Sequence, residues 1–88
     1  MDDLVKFRAQ LEKSTQWPSV YMFKMIIPAD NRLYAMIRSC FPDEASITEK
    51  QSSKGNYISV TATELMLDAD EVIRRYQQLS VIEGIVLL

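Results

Sequence analysis

An α+β fold is the class this 88-residue chain predicts: one four-stranded antiparallel sheet with two helices on one face, behind a short leading helix. Three observations carry it. Residues 20–27 and 57–63 read as strands, the second alternating apolar and polar side chains with period two behind a turn signal. Residues 31–41 and 69–79 repeat apolar side chains at the i, i+3, i+4 spacing of a helix, each run with an Asp or Asn cap at its start. Taken in chain order with a polar edge strand and a closing apolar stretch, these elements give βαββαβ.

Composition bounds the class further. A hydrophobic fraction of 48% and a charged fraction of 25% are ordinary globular usage, enough for one domain with one core. The net charge of −2 offers no general attraction to phosphate backbones or anionic membranes. The chain opens Met1-Asp2-Asp3, acidic where a secretory signal is basic, and no apolar run approaches the length of a membrane span. A cytoplasmic protein is expected.

The leading helix is expected over residues 2–13, with Leu4, Phe7 and Leu11 at helical spacing, Asp2 and Asp3 at the positive end of the dipole and Lys13 at the negative end. Residues 14–19 break it, because Pro18 lacks an N–H and pushes Trp17 out of the helical region. This divides the chain into residues 1–16, helix and linker, and residues 17–88, the main domain, against which Trp17 is expected to pack.

Val20 to Ile27, ending at Pro28, is the first strand. Tyr21, Phe23, Met25 and Ile27 form an apolar row suited to the core, and Val20, Met22, Lys24 and Ile26 form the outer row. Asp30 or Asn31 caps a helix carrying Leu33, Met36, Ile37, Cys40 and Phe41, which Pro42 stops. Ala45 to Gln51 is a polar edge strand, and Glu49 and Lys50 discourage unwanted pairing there. A hairpin follows, with Gly55 in a two-residue turn centred on Lys54-Gly55 or Gly55-Asn56. In the next strand Ile58, Val60 and Ala62 face one way, and Tyr57, Ser59, Thr61 and Thr63 the other. Asp68 caps the last helix with Glu71 completing a capping box, and Ile82 to Leu88 is the last strand. The right-handed crossover rule then gives a ferredoxin-like βαββαβ sandwich with strands one and three central.

Candidate chemistry is sparse. No histidine occurs, which removes the usual general base and the commonest metal ligand. Asp68, Asp70 and Glu71 open a helix, where acids serve caps and dipole, and no triad, metal spacing or phosphate loop can be assembled. No catalytic residue, metal or cofactor is expected, and the chain does not read as an enzyme. The lone Cys40 lies on an apolar stripe and reads as a small hydrophobe.

The run Ser52-Ser53-Lys54-Gly55-Asn56-Tyr57 is the most distinctive stretch. It serves as a turn in one reading. In the other, its backbone N–H groups, the Ser53 hydroxyl and Lys54, with Lys24 nearby, hold a polar or anionic ligand or a partner. The outer row leaves Met22 and Ile26 in water unless the leading helix, a second subunit or a partner protein covers them, and a homo-oligomer or a protein partner is expected.

Trp17-Pro18, the strand Val20-Tyr21-Met22-Phe23-Lys24, that run with Ser59 and Thr61 after it, and the closing pattern Tyr76, Leu79, Ile85, Leu87 together resemble the YbeD-like family of small bacterial proteins of unknown function. The resemblance covers residues 17–88 and is most specific at Ser52–Tyr57. It implies an ACT-like fold, that of a regulatory domain of amino-acid biosynthetic enzymes, and a regulatory or adaptor role linked to lipoate or amino-acid metabolism. ACT domains that bind amino acids commonly place a glycine after the first strand, where this chain has Pro28-Ala29-Asp30.

An RNA-binding module shares the βαββαβ order and is the alternative. Its third strand starts Lys/Arg-Gly and exposes alternate aromatics. Lys54-Gly55 fits, but the stacking positions fall on Asn56 and Ile58, and Ile58 belongs to the apolar row. Nucleic acid is therefore not the expected partner.

Overall fold

The computed structural model describes residues 2–88; Met1 and the side chain of Asp2, the first of the acids expected to open the leading helix, lie outside it. The element order is α1 (Asp2–Ser14), β1 (Ser19–Pro28), α2 (Asn31–Ser39), β2 (Ser46–Gln51), β3 (Tyr57–Met66), α3 (Ala69–Ser80) and β4 (Val86–Leu87). The strands form one sheet in the order β2-β3-β1-β4, every neighbouring pair antiparallel. This is the ferredoxin-like arrangement, with α1 added in front.

β1 and β3 pair from Ser19↔Met66 to Pro28↔Tyr57, and this long central ladder fixes which side chains share a face. Phe23, Met25 and Ile27 of β1 face inward with Ile58, Val60, Ala62 and Met66 of β3. Leu33 and Ile37 of α2 and Ala69, Val72 and Leu79 of α3 close over them in one core. Each large aliphatic or aromatic side chain buried this way contributes about 1.5–3 kcal/mol against the entropy of ordering the chain.

Both caps form as the sequence predicts. Asp30 accepts from the Arg32 N–H at 2.8 Å, and Asp68 accepts from the Glu71 N–H at 2.9 Å. The Glu71 carboxylate reaches back to the Leu67 N–H at 2.8 Å, one residue before the cap, so the reciprocal box is shifted by one position.

Two expectations are corrected. The stretch from Ile82 to Leu88 pairs only through Val86 and Leu87, because the chain leaving α3 turns first: Ile82 donates to Leu79 and Ile85 to Ile82, with Gly84 at φ 76°. Ile82 is buried in the core from this turn, so its apolar character reflects packing and not strand pairing. β3 runs on through Glu64 and Leu65 to the buried Met66, past Thr63 where the alternation was expected to end. Of the candidates to cover the outer sheet face, the leading helix does not do so. α1 lies against α3, with Leu11 in the core and the Phe7 ring edge-on to Tyr76 at 5.7 Å between centroids. Trp17 packs partly buried against the same core, as expected.

Candidate ligand and partner surface

The hairpin between β2 and β3 is a four-residue loop, not the two-residue turn expected. Gln51 pairs with Ile58, and the Ser52 N–H donates to the Tyr57 carbonyl at 2.8 Å. The Gly55 N–H donates to the Ser52 carbonyl at 2.9 Å, so Ser53 and Lys54 are the central pair of the turn. Gly55 follows at φ 76°, the left-handed conformation that bends the chain back toward β3. Ser52 adds a side-chain bond, accepting from the Tyr57 N–H at 3.1 Å. The Asn56 carbonyl accepts from the Ala29 N–H at 2.9 Å and ties the loop to the end of β1.

Next to this hairpin, on the sheet face away from the helices, lies a cavity of about 440 Å³ lined by Ile26, Lys50, Gln51, Ser52, Ser53, Tyr57 and Ser59. The register builds it: Ser59 stands opposite Lys50 on one side and Ile26 on the other. Of the residues singled out from sequence, Ser52, Ser53 and Tyr57 meet here. Lys54 is exposed at the loop tip, Gly55 and Asn56 contribute backbone to the turn, and Lys24 is exposed on the same sheet face, opposite Thr61. Lys50 was missed as a site residue, while Ile26 and Ser59 were placed on the outer face but not assigned to the hairpin site. Alternation within β2 would have placed Lys50 on the open side, but only the β2–β3 register brings it to the loop.

The cavity opens onto a face that no element covers. Met22 is 53% exposed, Tyr57 54%, Leu65 57% and Val20 68%. Among the described residues, no carboxylate forms an ion pair with Lys24, Lys50 or Lys54.

A second cavity of about 360 Å³ lies between α1, α3 and the end of the chain, lined mainly by Leu4, Phe7, Ile73, Tyr76, Leu87 and Leu88, with no charged side chain among its lining residues. The Tyr76 hydroxyl there is 3.1 Å from that of Tyr21, and burial, with that bond and the Tyr21 charge adding to it, pushes its ionisation well above the ordinary tyrosine range. Burial likewise raises the Cys40 thiol, only partly opposed by the nearby Arg75 cation, and so disfavours the thiolate. Among the described residues, no group of three or more acids and cysteines is placed to hold a metal, and no helix is long and apolar enough to cross a membrane.

Comparison with known proteins agrees with the residue pattern. Residues 12–88 match the model of a family described as "Protein of unknown function (DUF493)". A "UPF0250 protein" of Shewanella halifaxensis is 31% identical over 80 residues, 86% of this chain and 91% of the relative. Another, of Shewanella amazonensis, is 32% identical over 74 residues, 80% and 84% of the two chains, and one of Shewanella oneidensis is 30% identical over 80 residues, 86% and 91%. No solved structure gives a significant match. The family match spans every strand of the sheet, the cavity and the Ser52–Tyr57 loop, and the chain belongs to this family of small bacterial proteins of unknown function.

Proposed function

We propose that this chain is a non-enzymatic regulatory or adaptor domain of the cytoplasm, which binds a small polar ligand or a protein partner at the hairpin end of its open sheet face. The cavity beside the hairpin carries this reading. Its volume lies within the range of small-molecule sites, and it joins an apolar wall, Ile26, to hydroxyls from Ser52, Ser53, Tyr57 and Ser59 and to the cation of Lys50. That lining suits a carboxylate or phosphate with a short apolar body, and it equally suits an acidic side chain of a partner. Its lining holds no carboxylate, histidine or cysteine, and this favours binding over turnover.

The test is native mass spectrometry of the protein isolated gently from its own cells, wild type beside Ser53→Glu. Ser53 is exposed and its side chain makes no hydrogen bond among the described residues, so the substitution leaves the melting temperature within about 2 °C. Retained ligand or partner is expected to disappear. A Ser53→Glu protein that keeps everything the wild type keeps, or a wild type that retains nothing, overturns the reading.

A further inference from the structure

The strands carry four charged side chains, and the sheet sorts them by sign. Lys24 of β1 and Lys50 of β2 lie in the open-face row, opposite Thr61 and Ser59. Glu49 and Glu64 fall in the helix-side row, opposite Val60 and Tyr21. The neighbouring pair Glu49-Lys50 is thus split across the sheet by strand alternation alone. A chain with 12 acidic and 10 basic residues therefore presents an open sheet face whose only strand charges are cations. Around them stand the exposed apolar side chains of Met22, Val20, Leu65 and Val86.

We infer that this open face docks a partner protein through an acidic segment that also carries apolar side chains. The inference rests on the partner-binding reading above and names the chemistry of the partner. A cluster of exposed apolar side chains marks an interaction surface, and lysines set within it that have no ion pair among the described residues select the charge of what covers it. By sheet spacing the Lys24 and Lys50 backbones are about 12 Å apart, two strands across and two residues along. Carboxylates seven or eight residues apart on a helix match that distance.

Other occupants fit less well. A second copy joined face to face brings four lysines into one apolar interface without a carboxylate from either strand set, a desolvation cost with no return. Nucleic acid needs stacking surfaces, and Tyr57 is the only aromatic in the open-face rows; two strand lysines neutralise few phosphates. α1 is held against α3.

The experiment installs a photo-crosslinking amino acid at Met22 in the full chain, expressed in its native cells, with Gln10 on the exposed side of α1 as control and Ser53 as a second probe. Mass spectrometry reads the attached peptide. The expected product at Met22 is a protein segment containing both Asp or Glu and large apolar residues, its yield falling about tenfold when Lys24→Glu and Lys50→Glu are introduced together, with nothing comparable at Gln10. Lys24→Gln with Lys50→Gln, at unchanged melting temperature, separates loss of attraction from repulsion and from misfolding. A product that is this chain itself, RNA or a segment without acids overturns the inference, as does no product at Met22 or a yield indifferent to the lysines. If Ser53 captures a partner while Met22 does not, the inference falls and the functional reading stands. If neither captures anything and nothing is retained in native mass spectrometry, both fall.

Discussion

Arg75 on α3 places its Nη2 against both carboxylate oxygens of Glu64 on β3, at 2.8 and 2.9 Å. The same guanidinium donates through Nη1 to the Cys40 carbonyl, just past α2, and to Gln78 at 3.1 Å, and its carbon lies 4.9 Å from the Phe41 ring centroid. One cation thereby fastens α3 to the central sheet and to the end of α2. The two side chains are 17% and 14% exposed, so solvent screens them little.

Removing either partner is therefore expected to cost more than a surface ion pair. Arg75→Ala should destabilise by about 3 kcal/mol, since it strands Glu64 and strips the Phe41 contact, and Glu64→Ala by about 2. Urea denaturation of both singles and the double mutant should show a coupling of about 1 kcal/mol or more. Additive losses would mean that the contact does not act as a pair.

Gly55 and Gly84 share a φ of 76° but not their surroundings. A Cβ on Gly55 would meet only the Gln51 amide at 3.7 Å, whereas one on Gly84 would lie 3.0 and 3.1 Å from the Pro28 ring carbons. Gly55→Ala should then cost about 1 kcal/mol from backbone strain alone, and Gly84→Ala about 2 or more, because the proline ring has little room to yield. Equal midpoints in urea would contradict this ordering.

That contrast also shows where sequence reading reaches its limit. Asp30, Asp68 and the rows of β1 and β3 were legible because capping and alternation are local: a few neighbouring residues determine them. The end of β3 was not, since Glu64 looks like a break in an apolar row until Arg75, eleven positions on, neutralises it. The apolar run Ile82 to Leu88 reads as a strand, yet Gly84 turns it so that Ile82 enters the core and two residues remain to pair. Within the candidate site, Ser52, Ser53 and Tyr57 were visible from their own stretch of chain. Lys50, Ser59 and Ile26 join them only through pairing across three strands, which no local spacing encodes.

The Tyr76 hydroxyl gives the fold an alkaline limit. Its ionisation is raised from 10.0 in the folded state by burial and by the bond to Tyr21. The folded chain thus binds the proton more tightly than the unfolded one. Stability from this group is fully present below pH about 10 and declines as pH rises beyond it, because only the unfolded chain then gains from ionising. Tyr76→Phe should flatten the fall in urea midpoint between about pH 9.5 and 11 relative to wild type, even if it lowers stability at neutral pH through loss of the Tyr21 bond. Parallel pH profiles for the two proteins would show that Tyr76 does not set the limit.

Leu11 of α1 is only 7% exposed within the same core as the sheet, while Leu4 on the same helix is 43% exposed. A short isolated helix is marginal in water, so α1 persists through its contacts with α3, chiefly Leu11 and the Phe7–Tyr76 ring pair. Leu11→Ala should cost about 2–3 kcal/mol by deleting buried methyl groups and leaving a cavity, and Leu4→Ala less than about 1. If α1 were merely appended, Leu11→Ala would leave the urea midpoint of the domain unchanged and speed hydrogen exchange only in residues 2–14. The buried position of Leu11 predicts the opposite: a lower global midpoint, with faster exchange in the β1 and β3 amides together with α1.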